Sequence, residues 1–196
     1  MDTATAIGSL FAASGLSGAA GLNPWLPLLV SALLARWGVV DLGDPFGDLE
    51  GTGWLAALGA LTAADFVGDK VPAVDHVLHV VGGVVAPASG AILFTGQTGA
   101  ETDLPTVAAV VIGALVAGSV HLERAAFRGG STVGTAGTAN PFVSLGEDLG
   151  SLGLVAVAFV APILAFLAVL ALLVAGALLV RGVLRRRAGG RATPRR

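Results

Sequence analysis

From Leu152 to Val180 the chain runs for about 29 residues without a charged side chain, longer than the roughly 20 that a helix needs to cross a bilayer. A segment of that kind excludes an ordinary water-facing domain. The rest of the chain agrees: 55% of the 196 residues are hydrophobic, a further 29 are Gly, and only 12% are charged. With a mean hydropathy of +0.85 there is too little polar surface to cover a soluble globule. The expected fold is all-α, a polytopic transmembrane helical bundle of six or seven segments, in one domain over residues 1–187 followed by a basic tail at 188–196.

Charge sets the expected orientation. Seven of the eleven cations, Arg181, Arg185, Arg186, Arg187, Arg191, Arg195 and Arg196, close the chain, which marks a cytoplasmic C-terminus in a plasma-membrane protein. The loop carrying Asp41, Asp44, Asp48 and Glu50, and the loop from Gln97 to Asp103, contain acids but no Lys or Arg, and read as the opposite side. The run from His121 to Gly130 has Arg124 and Arg128 and reads as cytoplasmic. Met1 to Ser9 lacks the cationic start of a cleaved signal peptide.

Helix breaks follow from Pro. Thr5 to Gly21 is built of small residues and stops at Asn23-Pro24, where the ring removes a donor and turns the preceding residue from helix. Further apolar segments run from Trp25 to Val40, Trp54 to Val67, Pro72 to about Phe94 and Leu104 to about Val120. The last segment, 152–180, is expected to tilt or to kink at Pro162. Whether Thr5 to Gly21 crosses or dips in and returns is open at this stage.

Superposing Asn23-Pro24 on Asn140-Pro141 also aligns Ser14 with Ser131, Ala19 with Ala136, Trp25 with Phe142 and Leu28 with Leu145. This suggests an internal two-fold repeat with halves near 1–93 and 104–180, each holding a broken or re-entrant segment. A break frees backbone N–H and C=O groups, which must then be buried in protein or line a cavity. Asn23 and Asn140 are therefore candidates to bridge freed backbone or hold a polar ligand. Gly15, Gly18 and Gly21, and Gly134 and Gly137, read first as close-packing positions.

The densest polar cluster is Asp65, Asp69, Lys70, Asp75, His76 and His79. Ionisable groups among apolar segments cost about 2.5–3.5 kcal/mol each to insert, so they face a partner or water. Asp65 with Asp69, and Asp75 with His79, stand four apart and share a helix face, a spacing that suits proton or cation handling as well as simple mutual bonding. Local pairing of Lys70 at a helix start is the structural alternative. His121 is a further imidazole without fixed spacing, which does not make a zinc site. Glu147 and Asp148 read as a solvated loop pair unless their segment carries them inward.

No Cys is present, which removes thiolate chemistry, and no phosphate loop, dinucleotide fingerprint or nucleophile elbow occurs. An enzyme is therefore not expected, nor a cofactor, nor a nucleic-acid partner. The expected partners are the lipid bilayer and a small polar solute, proton or cation, with a homo-oligomer left open.

Ala13-Ser14-Gly15-Leu16, Gly21-Leu22-Asn23-Pro24-Trp25-Leu26-Pro27-Leu28-Leu29 and the block from Asp65 to His76 resemble the bacterial membrane family catalogued as domain of unknown function 4126. The Asp69-Lys70-Val71-Pro72-Ala73-Val74-Asp75 stretch is the most specific part. The resemblance covers roughly Ala6 to Arg187 and implies an integral membrane protein, but no established activity and no site residues. The functional expectation from the residues is passage of a small solute, ion or lipid head group through a polar site near the membrane midplane. A membrane scaffold is the alternative, and a lipid-modifying enzyme a lesser one.

Overall fold

The computed structural model describes residues 2–43, 46–68, 72–99, 101–135 and 138–190. Among them are seven α-helices and no strand: α1 (Thr3–Leu22), α2 (Leu26–Arg36), α3 (Thr52–Gly68), α4 (Pro72–Gly99), α5 (Thr106–Thr135), α6 (Asn140–Val160) and α7 (Pro162–Gly190). Five of these, α1, α4, α5, α6 and α7, are long and apolar enough to cross a membrane, which makes this a multi-pass membrane protein. At 11 residues α2 is about 16 Å long and cannot cross by itself.

Because α1 is rich in Ala, Gly and Ser, above all from Ala12 to Gly21, helices can close around it, and α4, α5, α6 and α7 all pack on it. Its glycines set the distances. A methyl group at Gly15 would come within 2.6 Å of Ala165 Cβ, and one at Gly21 within 2.6 Å of the Ala117 carbonyl oxygen. A methyl group at Gly90 of α4 would meet the Gly113 carbonyl of α5 at 2.6 Å, so those helices also cross backbone to backbone. By contrast α7 is the most apolar of the five candidate spans and the least buried of them.

Asn23-Pro24 breaks the chain as expected, and the break turns it back. The connection after α2 returns to the far end of α4, where Gly43 N–H donates to the Gly96 carbonyl at 3.0 Å. Meanwhile the C-terminal end of α3 comes up beside Asn23, through Asp65. The chain thus turns back between α1 and α2, and both acidic loops lie at the same end of the bundle as the N-terminus.

One expectation is corrected at Pro162. Rather than a single tilted or kinked helix over 152–180, the chain reverses at Ala161, whose non-helical backbone (φ −144°, ψ 70°) separates α6 from α7. The missing proline donor and the restricted residue before it end α6. Small Ala158 and Ala165 on either side of the turn both fit against Gly15. This reversal makes α6 a crossing of its own and brings the end of α7 to the end of the bundle that holds Arg124 and Arg128.

Candidate functional site

The site grows from the broken end of α1. Asn23 follows the last turn and its N–H still donates to Ala19, while its side chain, 1% exposed, faces the core. The side-chain oxygen accepts from the N–H groups of Trp25 and Leu26, both at 3.0 Å, and so caps the start of α2. That leaves the amide nitrogen pointing inward. It donates to Asp65 Oδ2 on α3 at 3.1 Å and to Asp148 Oδ1 on α6 at 2.8 Å. Two acceptor and two donor positions are thereby all used, which also fixes which way the amide is turned.

Asp65 and Asp148 are 5% and 7% exposed, so Asn23 ties two buried carboxylates to the break in the hairpin. Ser151, one turn beyond Asp148, donates to the Ala19 carbonyl at 3.0 Å and fastens α6 to the last turn of α1. On the next level Glu147 accepts from Arg124 Nε at 2.8 Å and from Arg128 Nε at 2.9 Å. The two arginines stand four apart on α5, so both guanidiniums reach one carboxylate. Beside them His121 is buried with its ring over α4, where a methyl group at Gly82 would lie 2.8 Å from its Cε1.

A cavity of about 150 Å³ lies against this cluster, lined by Asp65, Arg124 and Arg128 on its polar side and by Pro24, Trp25, Leu61 and Val81 on others. Liquid water takes about 30 Å³ per molecule, so the space suits a small solute or a few waters. Carboxylate and guanidinium groups on one wall can bind either sign of charge, or a zwitterion. The cluster is not central along the helices. Arg124 lies about 27 Å along α5 from Thr106, nearer the end where α7 finishes.

The expected site residues divide into three groups. Asn23 and Asp65 come together, directly bonded. Asp69 and Lys70 lie outside the described residues, as does Gly137. Asp75, His76 and His79 belong to the N-terminal end of α4, and their side chains also lie outside the described residues. Asn140 takes a different place from Asn23: it is partly exposed at the start of α6 and exchanges hydrogen bonds with Thr132 Oγ1 at 3.0 and 3.3 Å. Asn23-Pro24 is buried within the bundle between two helices, whereas Asn140-Pro141 forms the first turn of α6. Likewise Gly134 has open space around it, unlike Gly15, Gly18 and Gly21.

Glu147 and Asp148 are no solvated loop pair, because helix α6 begins before them and carries both inward. Nor are Arg124 and Arg128 free loop cations, since α5 continues to Thr135 and buries them. The overlooked signal was periodicity. Ala109, Gly113, Ala117, His121, Arg124 and Arg128 make one buried stripe on α5, and Ser144, Asp148, Ser151, Val155 and Ala158 one on α6. The polar members simply continue a face whose small residues already mark it as inward.

Residues 10–182 match the family model described as domain of unknown function DUF4126. The chain belongs to that family. The match takes in Asn23, Asp65, Arg124, Glu147 and Asp148, so the whole cluster falls within the family domain. No curated protein and no solved structure matches the chain.

Proposed function

We propose that this family member is a membrane transport protein that passes a small polar solute or ion, held in transit in the cavity between Asp65, Arg124 and Arg128. The observation that carries the reading is the cavity's position at the break of the α1–α2 hairpin, against charges buried within an apolar bundle. Charged groups are retained at depth where a hydrophilic species visits them. Broken helices at such a site are the arrangement that membrane transporters use to expose polar backbone to a solute. The terminal arginines support a cytoplasmic C-terminus, and the acidic loops then lie outside.

A scaffold is the second reading, favoured by the complete use of Asn23's bonding capacity inside the protein. In that case the cluster would only join helices. The two readings part in a proteoliposome flux panel of cations, anions and small zwitterions comparing the native protein with Asp65→Asn. Transport requires a flux above protein-free vesicles that Asp65→Asn lowers by about tenfold or more, as expected for loss of a charged contact. Equal, background fluxes for every solute with both folded proteins favour the scaffold.

A further inference from the structure

A second cavity, of about 660 Å³, lies on the opposite side of Arg124, between α5, α6 and α7. Its walls include Leu22, Val120, Phe127, Leu172 and Leu179, and its polar end is made by Glu123, Arg124 and Glu147. Phe127 and Leu179 are exposed on the outer surface, so the mouth faces lipid rather than water. The volume is within the range of sites for small molecules.

Glu123 distinguishes this cavity from an apolar crevice. Its carboxylate lies over Gly176 of α7, in space that any side chain there would occupy. Arg124 is engaged by Glu147, whereas Glu123 has no hydrogen-bond or ion-pair partner among the described residues. A carboxylate in the wall of an apolar, lipid-facing pocket presents an acceptor to whatever enters from the bilayer.

We propose that this cavity is a lateral binding site for an amphiphile with a primary ammonium head, its acyl part along Leu172 and Leu179 and its ammonium on Glu123. Charge selects the head group. A phosphate or carboxylate head alone would meet Glu123 unfavourably, while an ammonium supplies both opposite charge and N–H donors. The site is separate from the Asp65 cavity and does not depend on transport.

The test uses the purified protein in nanodiscs of equal parts phosphatidylethanolamine, phosphatidylcholine and phosphatidylglycerol, released into a mass spectrometer with bound lipid retained. The native protein should retain phosphatidylethanolamine over either other lipid by about tenfold, the scale of one charge-assisted hydrogen bond. Glu123→Gln should abolish that preference, and Gly176→Val, which fills the seat of the carboxylate, should lower retention of all three. Glu123→Gln is nearly isosteric, and an unchanged melting temperature shows that it folds. Equal retention in native and Glu123→Gln proteins, a preference for phosphatidylglycerol, or a second copy of the chain in place of lipid would overturn the proposal.

Discussion

Asn23 and Asp148 stand 125 positions apart in the chain and are joined by a buried 2.8 Å hydrogen bond, so the break after α1 is held by the polar face of α6. Through the same amide the bond extends to Asp65 and back to the start of α2. A single side chain thus connects three elements, and its removal has a predictable cost.

Asn23→Ala strands two backbone donors at the start of α2 and removes a donor from each of two buried carboxylates. A loss of about 3 kcal/mol or more is expected, since each buried group left unsatisfied costs about 1–3 kcal/mol. Asn23→Asp keeps the capping oxygen but sets a third acid against the other two, and should destabilise at least as much. Unfolding in mild detergent, followed by circular dichroism, measures both.

Glu147→Gln removes the carboxylate charge that Arg124 and Arg128 share. Breaking a buried pair from one side costs about 3–5 kcal/mol. Substituting all three by apolar residues of similar volume should recover most of that stability. The same unfolding experiment decides, and a loss under about 1 kcal/mol for Glu147→Gln would place these groups in water instead.

Gly21→Ala should destabilise by about 1–3 kcal/mol, because its methyl group meets Val120 and the Ala117 carbonyl. Gly134→Ala, at a helical position with open space, should be neutral or gain up to about 1 kcal/mol of helix propensity. The contrast measures how far the two Asn-Pro segments differ despite their similar sequences.

The absence of native Cys makes single-cysteine labelling clean. Asp48→Cys and Asp103→Cys, both exposed, should react with an impermeant thiol reagent from one side of the membrane, and Arg185→Cys only from the other. Asp2→Cys should label with the two acidic loops if α1–α2 is re-entrant.

Much of this architecture could be read along the chain because proline and glycine act locally. Asn23-Pro24 had to interrupt a helix, and Gly15, Gly18 and Gly21 had to mark a close approach. Pro162 signalled a break too, but a kink and a reversal differ only in what packs on either side, here Gly15 against Ala158 and Ala165. The polar cluster was harder, since whether Arg124 is a solvated cation or a buried ion depends on Glu147, 23 positions away on another helix. Likeness between the Asn-Pro motifs could not reveal burial: Asn23 is bonded to α3 and α6, whereas Asn140 exchanges hydrogen bonds with Thr132 near the end of α5.

Access of water to the Asp65 cavity is the most direct measure of whether a solute visits it. Ala64 lines that cavity, so Ala64→Cys reports on it without altering the carboxylate, and Leu115→Cys, on the outer face of α5 away from both of its ends, serves as the comparison. In sealed proteoliposomes, a charged, impermeant thiol reagent should modify Ala64→Cys at least about tenfold faster than Leu115→Cys, which lies where charged reagents rarely enter. Equal, negligible modification of both in lipid, with full reaction after denaturation, would contradict the account and leave the cluster as a dry joint between helices.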